Sequence, residues 1–557
     1  MDYLSGLPKH ILHDILAKLP SKDAAKTIAL SKAWKDTWFS FPYLSVDCGD
    51  FITKHDVPIK NSYRFSKIDI LIDYVTKRML RLCDQGLAIK QFLLDLKYSL
   101  HPPHGSQSHD VDHWIQMASE NGVEVLELCL PISIGSIKED IWYDLPLCVI
   151  EAKSLTELGL VGGIRVDKKN FNHSMKFSSV KLLSLGQVLF THEGVIEHLI
   201  SHCPLIEHLI VDYCCVYNHL STEGPRVEMN CFLKSLFLNG LQKLKEVELR
   251  GIEETHIDLP NLENIWYSES KSDGFGLNFD SCTKLRCLCI SYWSAPTIAD
   301  KWFLELFSKY PLLESLELCD CSTSEKINII SSQLKVLKLQ DCPNLIEVNI
   351  DAPNLLSFEY HGYKYRYYDY RNPVIYFSRD SNQLEVSVFT NLHFREFYTL
   401  SKFFENIPRK ILASLSLFID QLPNDRYLPA LLVSSTPPAP SIKHLEFITP
   451  SVTNREAPFG PLMNFLFSSC FPRAISFRGC YRPYAFIEFF YEMLMGSRKG
   501  ECFCSSGDRK CWWHALKIVR ISYSCSFMVD ENADFKGVLD ELRRSGGMDS
   551  ITFSLEL

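Results

Sequence analysis

The sequence predicts an α/β chain: a small three-helix head at the N-terminus, then an irregular solenoid. The solenoid would carry a curved parallel sheet on its concave face and helices or short strands on its convex face. Three observations carry this. A motif of one apolar residue, two others, then apolar-x-apolar returns along the middle of the chain at near-constant spacing. At 557 residues the chain exceeds what one hydrophobic core supports, which calls for several domains or an array. Residues 7–38 hold three short apolar patterns of helical period in a stretch too small to build its own large core.

The head comes first. In "LPKHILHDILAKLPSKDAAKTIALSKAWKDTW", Ile11, Leu12, Ile15, Leu16 and Leu19 recur at helical spacing and form one stripe. Pro8 suits a first turn, where its missing N–H costs nothing, and Pro20 ends the helix at Leu19. Ser21 reads as the N-cap of a second helix, with Asp23 in its first turn and Ala24, Ile28 and Ala29 on one face. A third helix follows Leu30-Ser31 and sets Trp34 and Trp38 one turn apart.

Residues 46–110 connect this head to the array, with a helix expected at "IDILIDYVTKRMLRLC" and a strand at "IKQFLLDL". The repeats are read over 111–378. Copies fall at Leu155/Leu158/Leu160, Val180/Leu183/Leu185, Leu233/Leu236/Leu238, Leu262/Ile265/Tyr267 and Leu285/Leu288/Ile290. They continue at Leu313/Leu316/Leu318, Leu334/Leu337/Leu339 and Leu355/Phe358/Tyr360. Central positions 265, 288, 316, 337 and 358 lie 23, 28, 21 and 21 residues apart, the range of leucine-rich repeats. An extra pattern at Leu345/Val348/Ile350, midway between copies, is assigned to the convex side. "EGVIEHLISHCP" and "DKWFLELFSKYP" read as return helices ending before a proline. The asparagine ladder of the most regular repeats is mostly absent. Residues 379–557 read as degenerate repeats, with an exposed loop at "SSTPPAPS" (434–441) and the strand pattern revived in "IKHLEF" and "LKIVRISY".

The head resembles the plant F-box. The opening Leu-Pro, "ILHDIL", "LP-SKDA", "ALS" and the spaced tryptophans stand in the order and spacing of that family, departing at Lys26 and Ala33, where many relatives carry Arg. The array resembles the repeat section of plant F-box/leucine-rich-repeat proteins, "VDHWIQMASENGVEVLELCLP" (111–131) resembles its entry, and the region from about 510 resembles the FBD segment. The resemblance implies docking on a Skp-type adaptor of a cullin–RING ubiquitin ligase, with Leu7, Pro8, Ile11, Leu12, Ile15, Leu16, Leu19, Pro20, Leu30, Trp34 and Trp38 at or just beneath the contact. It implies a non-catalytic specificity subunit whose array holds an unknown protein substrate. The alternative is a ligand-gated co-receptor sensing a small molecule in the array, disfavoured by the few clustered Arg or Lys on the concave strands.

Composition narrows the partners. A net charge of −9 without a long basic run argues against nucleic acid. No apolar run approaches the roughly 20 residues that span a bilayer, and no apolar leader is read, so an intracellular location, nuclear or cytoplasmic, is expected. Of the twenty cysteines, Cys129, Cys287 and Cys289 are taken as small hydrophobes at apolar strand positions. No metal or cofactor is expected. Cys502, Cys504, Cys511 and His514 open on a C-x-C spacing that suits structural zinc poorly, and His101, His104, His109 and His113 read as a polar loop. "DGFGLNF" lacks the third glycine of a dinucleotide loop, no nucleophile-elbow, P-loop or zincin motif occurs, and "NHS" (172–174) is a bare sequon. "YKYRYYDYR" (363–371) reads as a strand-edge patch for a protein partner. The substrate column follows from side-chain alternation: Phe237, Glu248, Trp266, Cys289, Glu317, Lys338 and Glu359 should point outward. With three carboxylates against one lysine, this column favours a basic partner segment. Trp266 is its aromatic anchor unless the loop 268–282 folds over it.

Overall fold

The structure, a computed structural model, describes residues 6–51, 62–97, 106–132, 142–167, 177–217, 232–268, 276–292, 297–362, 373–378, 384–391, 412–418, 441–449, 470–479, 487–492, 518–523, 527–529 and 551–556, with single positions 400, 402, 406 and 466. The zinc-like Cys502–His514 cluster, the tyrosine-rich 363–371 stretch, the sequon and nearly all of the 434–441 loop lie outside them. The chain forms two compact units, Met1–Leu285 and Arg286–Leu557.

The first unit opens with helices Lys9–Ala17, Ser21–Lys26 (continued by one 3-10 turn, Thr27–Ala29) and Lys32–Phe39. Ser31 caps the third helix by accepting the Trp34 N–H at 3.3 Å. Ser21 is not a cap. The second helix starts at Ser21 itself, because the Pro20 carbonyl already accepts the Asp23 and Ala24 N–H groups at 2.8 and 2.9 Å. Leu12, Leu16, Ala24, Trp34 and Phe41 close a small core, with Ile15, Trp38 and Tyr43 packed on it.

Helix Ser62–Asp84 ties this head to the array. Arg78, only 5% exposed, donates from Nη2 to the Trp38 carbonyl at 2.5 Å and the Phe41 carbonyl at 3.2 Å. Its guanidinium sits 5.2 Å from the Trp38 ring centre, and that of Arg81 lies 3.7 Å over Phe39. Two cations thus meet the C-terminal end of the third head helix, where the last carbonyls carry partial negative charge. Burial lowers the pKa of Arg78, yet a guanidinium stays charged.

Strand Tyr43–Asp47 leaves the head and starts the main parallel sheet at once. Gln91–Asp95, Val125–Leu130, Glu157–Gly162, Leu182–Gly186, His208–Asp212, Glu246–Arg250 and Asn264–Ser268 follow in chain order, each in register with the one before. The second unit repeats the scheme with Cys287–Ser291, Ser315–Cys319, Val336–Gln340, Ser357–His361, Glu385–Asn391, Leu412–Phe418, Ser441–Thr449 and Ala474–Gly479. Alternation is strict. Leu316 and Leu318 are fully buried, whereas Glu317 between them is half-buried on the other face. The parallel run ends when Ile551–Glu556 pairs antiparallel with both Ala474–Gly479 and Ile518–Tyr523.

A shared corner follows many of these strands. Gln187, Tyr213, Asp320 and Asp341 take a positive φ, as does Gly251. Each sits two residues past the inner apolar pair, and its N–H donates forward to the next strand, as Asp320 does to Gln340 at 2.9 Å and Tyr213 to Arg250 at 2.9 Å. Gly251 needs its bare Cα, since a Cβ there would lie 2.6 Å from the Tyr213 ring. Burial and the Asp341 carboxylate both raise the pKa of Asp320.

The next residue reaches backward. Cys214, Cys321 and Cys342 occupy the place of the missing asparagine ladder. Their thiols donate to the carbonyls of Leu185 (3.2 Å), Ile290 (3.5 Å) and Leu318 (3.7 Å) in the preceding repeat. Burial pushes Cys214 and Cys321 up to about 12, which keeps them protonated and able to donate.

Behind the main sheets lie short second sheets and the helices Val195–Ser201 and Asp300–Lys309. Glu347–Asp351, which holds the extra pattern at Leu345/Val348/Ile350, pairs with Lys326–Ile330 and Val374–Phe377 in one of these second sheets. The copy at Leu233/Leu236/Leu238 also belongs there. Ser235–Asn239 pairs with Glu254–Asp258, not with Glu246–Arg250. Its centre lies only 11 residues before Val247, too short for a full repeat. The histidine-rich stretch is likewise corrected, since His109 and His113 stand on helix Ser106–Glu120.

Replacing Arg78 by Met should leave the Phe41 carbonyl without the guanidinium donor and the Trp38 carbonyl with the Phe41 N–H at 3.2 Å, at a cost of about 1–3 kcal/mol. Amide exchange in residues 32–41 should accelerate while that of Ser315–Cys319 stays unchanged.

Candidate functional site

Two surfaces are candidates. On the head, the eleven sequence-selected residues divide by burial. Leu12, Leu16 and Trp34, at 3%, 1% and 2% exposure, are core, while Ile15 and Trp38 are half-buried against it. Leu7, Pro8, Ile11, Leu19, Pro20 and Leu30 are exposed, Leu30 to 65%. An apolar side chain this open gains nothing from the fold that presents it. His13 belongs to the scaffold: its ring meets Ser40 Oγ at 3.3 Å and the edge of Phe41, and burial lowers its pKa.

The second surface is the outward face of the main sheets. In the first unit Glu248 lies between Ile210 and Trp266 in register. Trp266 is half-buried and faces outward, whereas Tyr267 is buried and its hydroxyl donates to the Ile252 carbonyl at 2.9 Å. Residues 269–275 of the loop expected to cover Trp266 lie outside the described residues. Phe237 leaves the column, because its strand belongs to the second sheet. There it is 51% exposed and stacks on His256 at 4.9 Å.

In the second unit Cys289, Glu317, Lys338 and Glu359 do line up across adjacent strands. One of these charges is already paired, since Lys338 Nζ lies 3.8 Å from Glu317; His361 Nε2 lies 3.9 Å from Glu359 and adds a charge only when protonated. In the first unit Arg250 meets Glu248 and, at 3.6 Å, Asp212. Three carboxylates against one lysine therefore overstates the acidity. The sequence column omitted the outward residue two places further along each strand, where Arg250 and His361 stand.

Of the thiols, Cys289 already stood in the outward column drawn from the sequence, while Cys129, Cys287 and Cys319 did not. Cys129, Cys287 and Cys289 are not small core hydrophobes; they occupy outward positions that alternate with buried Leu128, Leu130, Leu288 and Ile290, and are half-buried. Cys319 joins them on the outward face of the neighbouring strand. Among the described residues no group of three or more His, Cys, Asp or Glu is arranged to hold a metal ion, and no helix is long and apolar enough to cross a membrane.

With this geometry in place, known proteins add their likeness. The family model of the F-box domain matches residues 4–45. Models of the leucine-rich repeats of FBD-associated F-box protein At5g56370 and of the At1g61320/AtMIF1 leucine-rich-repeat domain match 111–278 and 275–371. The chain joins an F-box to leucine-rich repeats. Several proteins of Arabidopsis thaliana are similar to it. Putative F-box/FBD/LRR-repeat protein At4g00315 is 25% identical over 62% of this chain and 77% of its own length. F-box/FBD/LRR-repeat protein At1g13570 is 30% identical over 44% and 53%, and FBD-associated F-box protein At3g52670 is 27% identical over 65% and 78%. Among solved structures, the functional domain of InlJ from Listeria monocytogenes, which includes a cysteine ladder, covers 61% of this chain and 72% of its own. At 14% identity and a TM-score of 0.23, that likeness carries no argument.

The leucine-rich-repeat register makes a stability prediction. Tyr267→Ala should cost about 3–5 kcal/mol, as for a buried aromatic, while Trp266→Ala should cost about 1 kcal/mol or less, as for a surface change. Urea denaturation of both variants, monitored across the first unit, checks the order.

Proposed function

We propose that this chain is the substrate-recognition subunit of an SCF-type cullin–RING ubiquitin ligase. Its F-box binds a Skp-type adaptor, and the outward face of its repeats binds the protein to be ubiquitinated. Proteins that pair an F-box with leucine-rich repeats generally serve as SCF substrate adaptors and are typically non-catalytic. The observation that carries the reading is the division within the F-box. Leu12, Leu16 and Trp34 close its core, and Leu7, Ile11, Leu19 and Leu30 remain exposed around it. A partner surface is what those four side chains lack.

The chemistry asked of the chain is positioning. Holding a substrate lysine near a charged ubiquitin-conjugating enzyme turns a bimolecular encounter into an intramolecular one and raises its effective concentration. Trp266 supplies the aromatic anchor on the outward face, with Glu248, Glu317, Lys338 and Glu359 supplying polar specificity around it or in the second unit.

The burial pattern chooses the test. Leu16→Ala or Trp34→Ala would collapse the F-box core, so their effect on binding would be uninformative. Ile11→Asp with Leu30→Asp leaves that core intact and should weaken capture of a recombinant Skp-type adaptor by about 100-fold or more, two lost hot-spot contacts. Undiminished capture would refute the adaptor reading. Separately, Trp266→Ala should weaken recovery of proteasome-stabilised partners by about 2 kcal/mol while adaptor binding stays level.

A further inference from the structure

Three short strands behind the main sheet of the first unit have an outer face whose charges the fold leaves unanswered. Ser235–Asn239, Glu254–Asp258 and Leu277–Asn278 pair in parallel, with Leu236, Leu238, Thr255, Ile257 and Leu277 buried on the inner side. By alternation the outer side presents Ser235, Phe237 and Asn239, then Glu254, His256 and Asp258, then Asn278. Phe237 is 51% exposed and stacks on His256, the ring centres 4.9 Å apart and the planes within 6° of parallel. Across the strands Glu254 faces Ser235 and Asp258 faces Asn239, so neither carboxylate meets a cation there. Lys234 and Lys243 flank the first strand in sequence, yet among the described residues no basic nitrogen lies within 4.0 Å of either carboxylate.

The corresponding sheet of the second unit supplies the contrast. There Lys326 stands across from Glu347 and pairs with it at 3.0 Å. In its middle row Asn349 donates to the Asn328 amide oxygen at 3.2 Å. Charge and middle row are both met within that sheet. In the first unit the middle row is aromatic instead, and the carboxylates on either side of it have serine and asparagine for neighbours.

We propose that this outer face binds an extended basic segment of a partner protein, of the pattern cation–x–apolar–x–cation. Glu254, His256 and Asp258 recur at every second residue of one strand, about 7 Å apart and about 13 Å overall at about 3.3 Å per residue. A segment lying extended along that strand has the same period on its own inner side. Its central apolar side chain covers Phe237 and His256, and its two cations meet Glu254 and Asp258.

Charge and chemistry select this occupant. Two exposed carboxylates disfavour an acidic segment, and they would repel the phosphates of a nucleic acid. A single exposed apolar side chain is ordinary surface. Phe237 differs by its setting, an aromatic pair ringed by Ser235, Asn239 and Asn278, which can hydrogen-bond the backbone or polar side chains of a segment laid over it. Aromatic centres with polar surroundings of this kind carry most of the binding energy in protein interfaces. Arginine suits the two outer places better than lysine, because its planar fork matches a carboxylate and its face also packs on an aromatic ring. The site lies behind the sheet that bears Trp266, so it stands apart from the ligase reading and from the substrate column.

The probe is a biotinylated peptide, Gly-Arg-Ser-photoleucine-Ser-Arg-Gly, irradiated at millimolar concentration with the full chain. Tagged adducts are digested with trypsin and sequenced by mass spectrometry. Phe237 falls in tryptic residues 235–243 and His256 in 251–271. Adducts should map to the first peptide and to positions 254–258 of the second. Setting the two arginines side by side, or replacing both by glutamate, should lower the yield about tenfold or more, and so should Phe237→Ala. Salt at about 1 M, which confines charge attraction to about 3 Å, should lower it likewise. Phe237→Tyr should preserve the yield, and Glu254→Gln with Asp258→Asn should bring the arginine and glutamate peptides level. Trp266→Ala should change nothing, and thermal melting should show each variant folded as the parent. The proposal is overturned if adducts are absent or map elsewhere, if the glutamate peptide labels equally well, or if both Phe237→Ala and the double carboxylate variant label like the parent.

Discussion

Each repeat of this chain can satisfy its backbone and bury its leucines only on its neighbours. The strand Ser315–Cys319 has its donors and acceptors met by Cys287–Ser291 on one side and Val336–Gln340 on the other. Its Leu316 and Leu318 are fully buried in that stack. At about 1.5–3 kcal/mol for each such leucine, no single repeat offsets the entropy of ordering some twenty residues, and only the stack does. The corner reinforces the rule in both directions. The N–H of Asp320 reaches forward to Gln340, and the thiol of Cys321 reaches back to Ile290. An array bound this way must be stopped at its ends. The F-box leads directly into Tyr43–Asp47 at the start, and antiparallel Ile551–Glu556 reverses the pairing near the finish.

Because the inner positions are spoken for, the outer ones are free to vary. The rim just before the strands uses that freedom for order. Lys90 faces Glu124, Lys181 faces Glu207, and Glu314 stands between Arg286 and Lys335, at 3.0 to 3.7 Å. Exposed pairs of this kind contribute about 1 kcal/mol or less each. Their alternating sign nonetheless penalises any repeat stacked on the wrong neighbour, since like charges would then meet. Past the rim, the outward columns hold the polar and aromatic residues: Trp266 and Arg250 in the first unit, Cys289, Glu317, Cys319 and Lys338 in the second.

The sequence made some of this legible and withheld the rest for physical reasons. Period and spacing exposed the main strands, the helices at 62–84, 195–201 and 300–309, and the outward direction of Trp266. The same apolar-x-apolar pattern also serves the second sheets, so Phe237 was drawn into a column that its strand does not join. The spacing of 11 residues to Val247 was the available signal, and the pattern at Leu345 had shown how to use it. Alternation placed Cys289 outside from the sequence, and the same alternation around Leu288 was enough to place Cys287 there too, while extending the outward column by one pleat would have reached Cys319, Arg250 and His361. Arg78 was beyond reach, because a cation in a helical pattern reads as surface until a distant carbonyl pair is known to face it.

That buried arginine bears on how the F-box could act. A specificity subunit that works by positioning gains from stiffness, since every freely rotating link spreads the substrate over a larger volume and lowers its effective concentration. The F-box and the first strands of the array belong to one compact unit, and only residues 40–42 separate Phe39 from Tyr43. Arg78 and Arg81 pin the last turn of the F-box against helix Ser62–Asp84, which itself packs on helix Ser106–Glu120 through the Trp114 indole donating to Thr76 at 3.0 Å. The chain of contacts therefore runs without a break from the exposed side chains of the F-box to the first repeats. A guanidinium is the group for this task. Its Nη2 meets the Trp38 and Phe41 carbonyls at and just past the end of the third helix while its plane lies near the Trp38 ring, a stacked arrangement that lysine's compact ammonium does not offer.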